Sequence, residues 1–315
     1  MRFTKRGWIV LLAGAVGALA VVGVPRWKSA SDRGGQKPVD PFRIAGNLYY
    51  VGTNDVTAFL LTGPEGHVLI GDGRAASAPL IMASIAKLGF RITEVKVLLN
   101  SHAHFDHAGA LAALQKASGA ELWISEPDAY IVAAGGAGDS TLGPMRFLTY
   151  LPLVRYPPPR IDHRFKDGTT IRVGPLAVTA HITAGHTRGS TSWSFPVRDG
   201  DRELLAVSIC DMSPPLGPFR NDSETQKTRA EFERSFRTLR SLPADIFLAS
   251  HARQFGRWRK QQARGTAKNP ADPFIDRAGY HGFISQWETV VTERLVGHPP
   301  PSSFESSADS ALRRE

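Results

Sequence analysis

Residues 95–111 read "VKVLLNSHAHFDHAGAL". A continuous apolar run of strand length, Val95 to Leu99, delivers the chain into His102, His104, Asp106 and His107. A helix-forming stretch, "GALAALQKASGA" (109–120), follows at once. A run of that kind predicts a buried strand, and the spacing after it predicts a helix closing near Gly119. The four polar residues therefore occupy a loop between a buried strand and a helix N-terminus, where a rigid scaffold can aim a few side chains. Neutral imidazole nitrogen and carboxylate oxygen are zinc ligands. His102 and His104 lie two apart and project to one side of an extended segment. Asp106 and His107 follow where the chain turns, so the loop can serve two metal ions. Four ligands cannot complete two sites, and other segments must contribute.

Two segments repeat the strand-then-histidine pattern. "AGHTRGST" (184–191) sets His186 in a turn at a strand end, and "LASHARQ" (248–254) sets His251 at the end of a buried strand. A lone histidine at a strand end is more often a hydrogen-bonded or solvated residue. The cluster at 102–107 makes both of them candidate ligands. His67, His163, His181, His281 and His298 have no such context and are assigned to surface or structure.

Working outward, short strands separated by turn residues precede the cluster: "NLYYVG", "AFLLT" and "HVLIG". The stretch "SAPLIMASIAKLGF" (77–90) has helical spacing. After the cluster come the strand "ELWIS" and a glycine-rich stretch, "AAGGAGDSTLGPM" (133–145), read as a flexible surface loop. It lacks the Lys-Ser/Thr ending of a phosphate cradle. A second strand series follows: "TTIRVG", "LAVTAHITA", "STSWSFPV" and "ELLAVSIC". An amphipathic helix ("AEFERSFRTLRSLP"), the buried strand "DIFLAS" and helix 279–296 complete the pattern. Strands and a helix, twice over, predict two packed sheets flanked by helices.

The 315 residues are 42% hydrophobic, enough for a full core. Formal net charge is +9, and five basic residues with no acid lie in residues 1–30. The remainder carries only a mild basic excess, so no nucleic-acid partner is expected. Residues 1–30 run basic, then apolar from Gly7 to Val24, then small, the order of a secretory signal. A periplasmic or secreted location is expected. An uncleaved anchor through residues 7–24 is the alternative and would be the one membrane contact. Cys210 is the single cysteine, so no intrachain disulfide forms. The expected organisation is a signal or anchor at 1–30, a linker at 31–40, one catalytic domain at 41–298 and a flexible tail at 299–315. A monomer acting on a small molecule is expected.

The pattern H-x-H-x-D-H after an apolar strand, with later "GHT-x-GS" and a strand-terminal histidine, resembles the metallo-β-lactamase superfamily. "LLNSHAHFDHAGAL", "AGHTRGSTSW", "FERSFRTLRSLPADIFLASH" and "ADPFIDRAGYHGFISQWE" resemble subclass B3 of that superfamily, from about residue 41 to 295. The resemblance implies an α/β fold, a four-layer αββα sandwich, with a dinuclear zinc site at one sheet edge. It implies a first zinc on His102, His104 and His186, and a second on Asp106, His107 and His251. It further implies hydrolysis of the β-lactam amide by a hydroxide held between two Zn2+ ions, with Asp106 orienting that nucleophile and Ser213 helping to bind the substrate carboxylate.

The chain departs from the pattern at two places. In "SICDMSPP" (208–215), Asp211 stands where the subclass usually carries a serine. In related thioesterases of the glyoxalase II type and in lactonases an Asp there bridges both metals. Asp211 is thus a candidate bridging ligand, and an Asp hydrogen-bonded away from the metals is the other reading. In "HVLIGDG" (67–73), Gly71 replaces the Asp that supports the metal loop in the family, and Asp72 follows one position late. Another dinuclear hydrolase, an acyl-homoserine lactonase or thioesterase, is therefore the alternative to a β-lactamase. A catalytically silent metal-binding scaffold is disfavoured by the complete ligand set.

Overall fold

The computed structural model describes residues 37–71, 73–215 and 222–295. The readings that fall on residues 1–36, on Asp72 and on residues 296–315 lie outside the described residues.

The first sheet has seven strands in sequential order: β1 (Phe42–Ala45), β2 (Leu48–Tyr50), β3 (Phe59–Leu61), β4 (His67–Ile70), β5 (Val95–Leu99), β6 (Glu121–Ser125) and β7 (His163–Phe165). The first four strands form an antiparallel meander, and β4 through β7 pair in parallel. The second sheet runs β12-β11-β10-β9-β8. Its strands are β8 (Thr170–Val173), β9 (Leu176–Ile182), β10 (Thr191–Asp199), β11 (Arg202–Ile209) and β12 (Ile246–Ala249). Only its β11–β12 pair is parallel.

The helices are α1 (Ala78–Lys87), α2 (Phe105–Ala108), α3 (Leu111–Ser118), α4 (Ala129–Ala133), α5 (Ser223–Ser241), α6 (Arg257–Ala263) and α7 (Arg277–Leu295). Successive side chains of a strand point to opposite faces, and β5 uses both. Val97 and Leu99 join the core between the sheets, with Tyr50, Phe59, Trp193, Phe195 and Ile209. Leu98 joins the outer core with Ile81 and Ile85 of α1 and Leu111 and Leu114 of α3. On the far side, Phe247 of β12 meets the rings of Tyr280 and Phe283 of α7. The Tyr280 hydroxyl donates to the Leu239 carbonyl of α5. Two sheets between two helical layers give the αββα sandwich.

One end of the sandwich gathers strand termini. β5 and β11 end there at Leu99 and Ile209, β12 ends at Ala249, and β10 begins at Thr191. The sheets are tied at this edge. Thr191 N–H donates to the Ser101 carbonyl (2.8 Å), and Thr57 Oγ1 donates to the Ala249 carbonyl (2.8 Å). Two differences from the sequence reading stand out. β1 and β7 are strands that it did not assign. The glycine-rich stretch 133–145 is not simply a surface loop: it leads into a 3-10 helix at Ser140–Tyr150 and carries a buried carboxylate, Asp139.

Candidate metal centre

The loop after β5 is held on both sides of its middle residue. Ala103 N–H donates to Asp128 Oδ2 (3.0 Å), and the Ala103 carbonyl accepts from the Tyr156 hydroxyl (2.7 Å). With Ala103 pinned, the flanking His102 and His104 are aimed inward. The chain then turns into α2, in which the His107 and Ala108 N–H groups donate back to the His104 carbonyl. Asn100 Nδ2 donates to the His107 carbonyl (2.8 Å), closing the loop.

The side chains converge on two neighbouring points. Ligand atoms of His102, His104 and His186 all lie within 4.8 Å of one another, and so do those of His102, Asp106 and His107. His251 stands beside the second group, its Nε2 3.2 Å from Nε2 of His107. The histidines of the sequence prediction are therefore brought together from three segments.

The outer bonds decide which nitrogen faces inward. Nε2 of His104 donates to Asp139 Oδ2 (2.9 Å), which leaves Nδ1 as the inward atom, 2.9 Å from Nε2 of His186. Nδ1 of His186 donates to the Ser213 carbonyl (2.8 Å), so its Nε2 faces in. Nδ1 of His251 is paired with Asp55 Oδ1 (3.2 Å), leaving Nε2 towards His107. An outer hydrogen bond that fixes the tautomer is the usual support of a metal-ligating histidine. In these tautomers lone pairs meet at about hydrogen-bond distance with no proton between them, an arrangement that a cation relieves. The residues present fit metal binding at these two neighbouring points.

Burial lowers His104 and His251, but Asp139 and Asp55 outweigh it and raise both imidazoles, whereas His102 and Asp106 are shifted towards their metal-binding forms. Burial holds the His102 imidazole well below its ordinary value, and the neighbouring His107, His186 and His104 reinforce this. It stays neutral, the form that binds metal. Burial acts upward on Asp106, but His107, His251 and His102 outweigh it and hold the carboxyl well below its ordinary range. Burial likewise acts upward on Asp211 and is outweighed by His186 and His251, so that this carboxyl too lies below the usual range.

The model of the metallo-beta-lactamase superfamily matches residues 51–251. The chain belongs to that superfamily. Among solved structures, the Rm3 metallo-beta-lactamase is 38% identical with a TM-score of 0.75, covering 82% of this chain and 95% of that one. LRA-12, a class B3 di-zinc metallo-beta-lactamase from an Alaskan soil metagenome, is 32% identical with a TM-score of 0.74 and the same coverage. A hydroxyacylglutathione hydrolase from Jannaschia sp. (strain CCS1) is 28% identical over 196 residues, 62% of this chain and 61% of that one. The chain thus spans less than two thirds of that curated relative. Superfamily membership and the donor set make this chain a metallo-hydrolase.

Within this superfamily member, the two departures take definite places. Asp211 follows β11 and is buried. Its Oδ1 accepts from Ser213 N–H (2.8 Å), and its Oδ2 lies 3.7 Å from Nε2 of His251. Asp211 therefore borders the second group of ligands while its other oxygen holds a turn. Ser213 is half-buried, and its Oγ lies 3.1 Å from Nδ1 of His186, the atom its own carbonyl also meets. Gly71 has φ +79°, and a Cβ there would stand 2.6 Å from the Thr57 carbonyl oxygen.

Sequence reasoning missed three carboxylates. Asp139 supports His104 from within the stretch read as a loop, where "DST" could have signalled a capping Asp: Oδ1 accepts from Thr141 N–H and Oγ1. Asp55, in "TNDVT", had no such signal. Asp128 joins two loops, accepting from Ala103 and Gly189 N–H and from Thr187 Oγ1. Burial pushes its pKa up to about 6 against these donors.

Proposed function

We propose that this chain is a zinc-dependent β-lactamase of the B3 type, opening the lactam amide of penicillins, cephalosporins and carbapenems. The observation that carries the reading is the six-residue donor set, two neighbouring groups with outer partners, in a chain 38% identical to the Rm3 metallo-beta-lactamase across most of both lengths. Zinc bound there supplies Lewis acidity, lowering the pKa of attached water towards 7 and polarising a carbonyl oxygen. The rest falls to side chains. His102, His104 and His186 hold the first ion, and Asp106, His107 and His251 hold the second. Asp106, kept ionised, accepts a hydrogen bond from the attacking water and aims it at the lactam carbon. The water oxygen bonds to that carbon, the C–N bond breaks, and the departing nitrogen takes the proton that the water gave up. Ser213, beside His186 at the site, is assigned to the substrate carboxylate.

A second reading rests on Asp211. An ionised carboxylate bordering the second metal site adds negative charge where a serine is usual. It weakens Lewis acidity and repels an anionic substrate. The likeness to hydroxyacylglutathione hydrolases supports a thioester or lactone substrate on the same scaffold.

The deciding experiment is a parallel assay of the zinc-loaded chain on a carbapenem, a cephalosporin, a thioester and an acyl-homoserine lactone, with and without chelator. Chelator-sensitive β-lactam turnover supports the first reading. Turnover of only the thioester or lactone, with Asp211→Ser shifting activity towards the β-lactams, supports the second. A β-lactamase should also raise the resistance of a susceptible host that expresses it. We further propose a monomer that acts outside the cytoplasm, after cleavage or with residues 7–24 as anchor. Light scattering and mass spectrometry of the mature N-terminus test these points.

A further inference from the structure

Behind the second group of ligands lies a cavity of about 10 Å³, room for the centre of one water-sized sphere and little more. Ser250, Trp193, His107, Ser101, Thr57 and Gly71 are among its walls. Gly71 keeps this space open, since its backbone conformation and the Thr57 carbonyl exclude a side chain there. Two residues of the wall each carry a buried polar atom, Ser250 Oγ and Trp193 Nε1, with no hydrogen-bond partner among the described residues. Both residues are more than nine-tenths buried. Two such groups at one cavity form an unusual coincidence, because buried polar groups are nearly always paired. An unpaired buried donor costs more than a typical hydrogen bond is worth.

We propose that this cavity binds one water molecule, held by Ser250 Oγ and Trp193 Nε1, which braces the back of His107. A water accepts from the indole N–H and both accepts from and donates to a hydroxyl, so it satisfies both groups with capacity to spare for the imidazole. Nε2 of His107 is turned away, towards His251. His107 is itself part of the cavity wall, so its ring can take the water as the outer partner that a ligating histidine requires. The arrangement gives the histidines unequal support. His104 and His251 lean on the carboxylates of Asp139 and Asp55, whereas His107 leans on a neutral molecule. Each metal set thus has one carboxylate-backed histidine, and the water supports the second metal through His107. This last step rests on the metal assignment above; the water site does not.

The test has two arms, both on the full chain. A crystal structure of the wild type should show one density peak within hydrogen-bond distance of both Ser250 Oγ and Trp193 Nε1. Absence of that peak overturns the proposal. In Ser250→Ala the metal-free protein should melt at a lower temperature, and affinity for the second zinc should fall about tenfold with the first unchanged. A dry cavity predicts the opposite sign, because the variant would then remove an unpaired hydroxyl: an equal or higher melting temperature overturns the water site. A peak and a lower melting temperature, with both zinc affinities unchanged, would keep the water and overturn its role towards His107.

Discussion

His104 presents Nδ1 to the centre because Asp139 occupies its Nε2, and His251 presents Nε2 because Asp55 is paired with its Nδ1. These carboxylates set tautomer and aim, so each should matter at its own site. Asp139→Asn is expected to weaken the first zinc by roughly tenfold or more, and Asp55→Asn the second, in chelator-competition titrations. Equal loss at both sites in either variant would contradict the pairing. His104→Ala should lose metal and hydrolysis, whereas His163→Ala, whose ring stacks on Trp123 beside Glu121, should lose neither. The ligands were legible in the sequence because one strand delivers four of them within six residues. Their outer partners were not, since Asp55, Asp128 and Asp139 each come from a separate segment and only the folded chain brings them near.

Asp128 carries a pH signature. Its folded pKa of about 6 lies above the ordinary 3.8 because burial penalises the ionised form. The folded state therefore holds this proton more tightly than the unfolded chain. That contribution is fully present below about pH 4 and is lost as pH rises through 6, a change of about 3 kcal/mol for two pKa units. Compared with Asp128→Asn, the metal-free wild type should lose thermal stability between pH 4 and 7. A difference between the two that does not vary with pH would refute this.

At the scale of elements, the turn before β10 shows how a short loop is made rigid enough to aim His186. Gly189 packs so closely that a Cβ would stand 2.2 Å from Ser125 Oγ and 2.6 Å from Asp128 Cγ. Arg188 ties the same turn to α5 through Glu231 and Glu224. Gly189→Ala should thus cost roughly 1–3 kcal/mol by overpacking and lower affinity for the first zinc, read by denaturant melts and metal titration. An unchanged midpoint and affinity would show that the turn is not so constrained. Long periodic elements such as α5 and β10 were readable from sequence. β1 and β7 were not: each is a short edge strand, and edge strands of three or four residues offer too few alternations to see. The stretch 133–145 misled because its glycines dominate its composition, while the one residue that matters there, Asp139, acts through a tertiary contact.

For the whole molecule, two strand series each followed by a helix sufficed to expect two sheets between helical layers. What the pattern could not reveal is that the ends of β5, β11 and β12 and the start of β10 meet at one edge. That depends on which strands pair in parallel, a matter of crossover connections rather than of local periodicity. The central claim is that this edge holds two metal ions on separable ligand sets. Zinc content per chain after equilibrium dialysis tests it most directly, in the wild type, His104→Ala and His251→Ala. The account predicts two zinc ions in the wild type, loss of the first site in His104→Ala and loss of the second in His251→Ala. A wild type that binds none, or variants that bind as much as the wild type, would contradict it.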